Sequence, residues 1–138
     1  KLQTNKVKFA VQIFDYIHSV DSEKLAKKIA DEQNKFNKKI KIFLQVNIGD
    51  ENQKSGISKD EVGRLVSYCK EIGLDLIGLM CIPPADIDPG EYFEEMNKLN
   101  KNLNFLELSM GMSSDFLKAA QYHSTYVRIG SSIFGQRS

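Results

Sequence analysis

What most restricts the fold of this chain is the regular exchange of two apolar rhythms along it. Five runs suit strands: YIHSV (16–20), KIKIFLQVNI (39–48), LDLIGLMCI (74–82), LNFLELSM (103–110) and TYVRIG (125–130). The second is β-branched and continuous, as a strand buried on both faces would be. Between the runs lie segments of helical period that carry their own end signals. Asp21-Ser22 opens EKLAKKIADEQ, and Ser58 to Glu61 has capping-box spacing ahead of EVGRLVSYCKEI, with Gly73 placed to stop that helix. Asp88-Pro89 starts GEYFEEMNKLNKNL, and Ser113-Ser114-Asp115 opens DFLKAAQYH. Strands alternating with helices predict a parallel sheet with helical crossovers. By periodicity alone, five strands in 138 residues match a flavodoxin-like sheet, since a complete (β/α)8 barrel needs about 250 residues. No linker, low-complexity tract or fixed-period repeat divides the chain, so 1–138 reads as a single domain.

Composition removes several function classes. Nineteen Lys and Arg against eighteen Asp and Glu leave a formal charge of +1, which offers no electrostatic footprint for nucleic acid or an anionic membrane. No run approaches the roughly 18 apolar residues of a membrane span. Cys69 and Cys81 lack CxxC spacing, which fits a reducing cytoplasm. Together with His18 and His123 they show no metal-ligand spacing. Neither a GxxxxGK[ST] loop nor GxGxxG is present.

A ligand site in such an α/β fold lies at the carboxyl ends of the strands. Within YVRIGSSIFG (126–135), Arg128 places a permanent cation in a core strand, and a buried guanidinium requires a partner. An internal Asp or Glu would make it a structural ion pair. After the last two strands stand Ser109 to Ser114 and Gly130 to Ser132. Both loops supply glycine, for close backbone approach, and hydroxyl donors, and their pairing predicts one anion site, most naturally for a phosphate. His18 reads as an acid–base group or as a hydrogen-bonded structural histidine. Cys81 reads as a nucleophile only with an activating base nearby, and otherwise as a buried, inert thiol.

Six ordered motifs, LQTNKVK (2–8), HSVD (18–21), QVNIGDENQKSGI (45–57), GLMCIP (78–83), LSMGMSSDF (108–116) and VRIGSSIFG (127–135), resemble the YggS/PROSC family of pyridoxal-phosphate homeostasis proteins. That family's fold is similar to the barrel domain of alanine racemase. The resemblance implies a partial (β/α)8 TIM barrel made of barrel strands four to eight. It also implies pyridoxal 5'-phosphate as cofactor, with Arg128 facing the pyridine nitrogen and keeping it unprotonated, Gly130 and Ser131 at the cofactor phosphate, and Met112 and Ser113 completing that site. The family lysine that forms a Schiff base with the cofactor is expected upstream of residue 1. Lys6 and Lys54 belong to other motifs, so no catalytic residue is assigned. The chain departs from the family at Cys81, where a small residue is usual, and at His123, where glycine is usual. The function implied is cofactor binding in pyridoxal-phosphate homeostasis without efficient catalysis. A racemase-like enzyme acting on amino acids and a phosphate-ligand-binding module stay open as alternatives. No nucleic-acid or membrane partner is expected. The chain starts without Met, so a longer product is expected. Complete members are expected to be monomers, and residues 1–138 alone to self-associate.

Overall fold

The computed structural model describes residues 1–52 and 55–135. Five strands form one sheet: β1 (Tyr16–Val20), β2 (Lys41–Val46), β3 (Asp75–Cys81), β4 (Glu107–Met112) and β5 (Tyr126–Arg128). Among the described residues, six α-helices accompany them: α1 (Val7–Ile13), α2 (Glu23–Lys35), α3 (Val62–Glu71), α4 (Gly90–Asn102), α5 (Phe116–Gln121) and the single turn α6 (Ser131–Phe134).

The order of the sheet is β1-β2-β3-β4-β5, with every neighbouring pair parallel. This order overturns the flavodoxin-like alternative, in which the first strand lies inside the sheet and helices cover both faces. Sequential order means that each crossover steps the same way. Right-handed crossovers then place the helices on one face. The result is a five-stranded parallel half-barrel with a helical outer layer.

The two faces are packed differently. In β2, Ile42, Leu44 and Val46 alternate toward the helices and join one buried core with Leu25 and Ile29 of α2, Leu65 and Cys69 of α3, and Phe93 and Met96 of α4. Burying side chains of this size contributes about 1.5–3 kcal/mol each. Phe43 and Met80 are equally buried but stand outside that cluster, on the opposite, concave face. His18 of β1 stacks on Phe43 there, with ring centroids 4.3 Å apart.

Local signals set most element ends. Ser22 caps α2 by accepting a hydrogen bond from the Leu25 amide at 3.2 Å. Gly73, at φ +77°, ends α3 in a Schellman turn, with Leu74 N–H bonded to the Cys69 carbonyl and Gly73 N–H to that of Lys70. Asp88 accepts from the Gly90 amide at 2.8 Å and opens α4. Two expectations need correction. The Ser58–Glu61 box forms no backbone cap, because the Ser58 hydroxyl donates to the Glu61 carboxylate itself at 2.7 Å. The fourth strand begins at Glu107, four residues later than the apolar run, because Asn104 turns left-handed (φ +59°) and closes α4. Helix α1 was not anticipated, although Val7, Ala10 and Val11 have helical spacing and are buried.

Candidate functional site at the carboxyl ends of the strands

Arg128 is the last residue of β5, and its guanidinium lies across the concave face. Nη1 donates to Ser109 Oγ at 2.6 Å and Nη2 to the Cys81 carbonyl at 2.8 Å. The alternative of an internal ion pair does not form: both acceptors are neutral, and among the described residues no ion pair engages Arg128. Burial pulls its pKa below the ordinary value, against the opposing influence of Cys81 and Asp115. A guanidinium so perturbed is still cationic at neutral pH. The site therefore keeps a half-buried positive charge that no ion pair among the described residues engages. Arg128 lines a cleft of about 490 Å³ with His18, Ser19, Gln45, Met80 and Ile82.

His18 belongs to the same constellation, its Nδ1 lying 2.8 Å from Ser109 Oγ. Burial, and secondly the Arg128 charge, lower its pKa. It is thus a hydrogen-bonded neutral imidazole. Cys81 is fully buried and burial pushes its thiol up to about 12, which makes it inert as a nucleophile.

The two Gly/Ser loops meet as the sequence predicts. Ser113 Oγ accepts from the amides of Gly130 at 3.1 Å and Ser132 at 3.3 Å. The second amide on this oxygen is that of Ser132, and Ser131 and Ser132 are both exposed at the start of α6. Two amides converging on one oxygen is the donor arrangement a phosphate oxygen requires. Met112 N–H donates to Asp115 Oδ1 at 2.7 Å and its carbonyl accepts from Asp115 N–H. The glycines also differ. Gly111, at φ +96°, packs so closely on α5 that a Cβ would stand 2.7 Å from that of Ala119. Gly130 faces open space, with nothing within 4 Å of an added Cβ.

Ser109, read from the sequence as the start of the Ser109–Ser114 loop, stands within β4, where alternation places it on the face that Arg128 shares. His123 lies outside the site, exposed after α5 with φ +69°, a left-handed backbone that explains why glycine suits this position. Lys54 lies outside the described residues. Among the described residues, no group of three or more His, Cys, Asp or Glu is gathered to hold a metal ion, and no helix is long and apolar enough to cross a membrane.

Residues 2–138 match the family described as alanine racemase, N-terminal domain. A pyridoxal phosphate homeostasis protein of Pasteurella multocida is 34% identical across 99% of this chain and 63% of its own length. One from Aquifex aeolicus is 36% identical across 99% of this chain and 64% of its own length. The chain thus spans just under two thirds of these curated relatives. Among solved structures, PipY of Synechococcus elongatus PCC7942 with pyridoxal phosphate bound superposes with a TM-score of 0.87 at 30% identity, over 98% of this chain and 68% of PipY. An alanine racemase of Clostridium difficile 630, with a TM-score of 0.73 and 14% identity over 99% of this chain and 38% of its own, shares the fold alone.

Proposed function

The chain belongs to the alanine racemase N-terminal-domain family, and from that premise we propose that it binds pyridoxal 5'-phosphate and serves cofactor homeostasis, without efficient catalysis. The observation that carries the reading is the pairing of a half-buried guanidinium that no ion pair engages with two amides that converge on one oxygen beside it in sequence. The donor set fits the group. Gly130 and Ser132 amides would hold the phosphate, with the Ser113 hydroxyl and Ser131 beside them. The open space in front of Gly130 leaves room for it. Arg128 would face the ring nitrogen, and because a guanidinium surrenders no proton near neutral pH, it would keep that nitrogen unprotonated. Bound pyridoxal phosphate supplies an electron sink, and an unprotonated ring is the weaker one.

The side chains in reach support binding over turnover. His18 is neutral with Nδ1 engaged, and Cys81 holds its proton. Similarity to pyridoxal phosphate homeostasis proteins and the pyridoxal phosphate bound to PipY point the same way. On this reading 1–138 is the C-terminal portion of a cofactor-binding barrel domain that works in the cytoplasm.

Fluorescence titration of the chain with pyridoxal 5'-phosphate tests the proposal, with pyridoxal lacking the phosphate as the control. Saturable binding, weakened about tenfold or more by Arg128→Leu and by Gly130→Val, is expected, since one charge-assisted hydrogen bond is worth about 1.5–3 kcal/mol. Equal binding of both compounds, or variants that bind like the parent, would remove the site.

A further inference from the structure

Ser109 joins Arg128 to His18, and the protons in that link decide what His18 does. The serine is fully buried, and its Oγ has two neighbours within hydrogen-bond range: Arg128 Nη1 at 2.6 Å and His18 Nδ1 at 2.8 Å. A guanidinium only donates, so it occupies one lone pair of Oγ. The hydroxyl hydrogen then needs an acceptor, because an unpaired buried donor costs about 1–3 kcal/mol. Of the two neighbours, only Nδ1 can accept.

We propose that Ser109 is a positioning residue that commits His18 to the neutral tautomer protonated on Nε2, so that the cleft meets His18 as a hydrogen-bond donor and not as a base. The two other forms of the ring carry hydrogen on Nδ1. Each would aim a second donor at Oγ and strand the serine hydrogen. The ring plane is fixed independently by stacking on Phe43 of β2 and by the edge of Tyr126 of β5, 5.6 Å away between centroids. Tyr16 of β1 stands 6.4 Å off, and Lys1 lines the same cleft. Neither bonds to Ser109.

The consequence for function rests on the cofactor reading above. A bound ring system would meet two donors, the Arg128 guanidinium and His18 Nε2–H, and no histidine nitrogen able to take a proton from it. That is the chemistry of a site that holds and releases its ligand.

The tautomer is read without any ligand, so its outcome is independent of the titration. Long-range ¹H–¹⁵N correlation spectra of histidine-labelled protein separate the three ring forms. His123→Asn, a residue that tolerates the left-handed backbone there, leaves a single imidazole. At pH 7 the spectrum should show a protonated Nε2 and an unprotonated Nδ1. Ser109→Ala should shift the ring to a mixture of tautomers, and Ser109→Thr should restore the parent pattern. An Nδ1–H tautomer or an imidazolium in the parent overturns the proposal, as does a Ser109→Ala spectrum identical to the parent's. Should Ser109→Ala not fold, the parent spectrum decides alone.

Discussion

At the scale of single residues, the site is legible to the extent that chemistry follows from residue type. A guanidinium within a strand announces a cation drawn partly out of water, and Arg128 is half-buried. Its partners were not legible, because Ser109 and the Cys81 carbonyl come from strands 19 and 47 positions away. Two predictions belong here. Cys69 and Cys81 are fully buried and burial pushes both thiols up to about 12. Neither should react with a disulfide reagent at pH 8 until denaturant is added, and rapid stoichiometric labelling of Cys81 in the folded protein would contradict this. The second concerns acid. Because His18 has a folded pKa below the ordinary 6.5, the unfolded chain binds more protons as pH falls below that value. Stability should therefore decline from about pH 6.5 downward, through the lower folded pKa. In His18→Asn, chemical denaturation should show this acid loss reduced; a profile as steep as the parent's would place the titration elsewhere.

At the scale of elements, caps and periods act over a few residues, so they could be read in order along the chain. Ser22, Gly73 and Asp88 end their helices as local rules require. Local rules failed where a side chain had a competing partner, as Ser58 does in Glu61, or where a long-range bond overrode an apolar run. Asn100 shows the latter: from the buried face of α4 its Oδ1 accepts from Leu79 N–H of β3 at 3.0 Å, and its Nδ2 donates to the Phe105 carbonyl. Asn100→Ala orphans a strand amide and should cost about 1–3 kcal/mol in denaturant unfolding. Asn100→Asp, which retains the acceptor, should cost less. The two loop glycines make a contrasting pair. Gly111→Ala meets α5 and a left-handed backbone, and should destabilise by on the order of 2 kcal/mol or more. Gly130→Ala meets open space and should leave unfolding unchanged. Equal effects would mean that packing does not distinguish the loops.

At the scale of the whole molecule, the half-barrel leaves β1 and β5 each paired on one side only. Phe9, Ile13 and Phe14 are exposed on and after α1, before β1, while Leu117, Val127, Ile133 and Phe134 are exposed on or beside β5. Unpaired strand edges bordered by apolar side chains favour association. A polypeptide of these 138 residues alone should run in light scattering as more than the 15.7 kDa monomer, and Phe9→Lys with Phe134→Lys should shift it toward that mass. A monodisperse monomer with a sharp thermal transition would show that the open edges are tolerated. Sequence by itself determined the alternation of strands and helices, most of the caps, the two Gly/Ser loops and the cation among them. All of these arise from interactions within a few residues or from chemistry carried by one. Only the tertiary structure decided that the strands run in sequential order, that Arg128 meets a hydroxyl and a carbonyl and no acid, and that Gly111 serves packing while Gly130 faces open space. Those outcomes depend on which distant segments share a face, and the balance of crossover handedness and packing that brings them together has no counterpart in any local stretch of the chain.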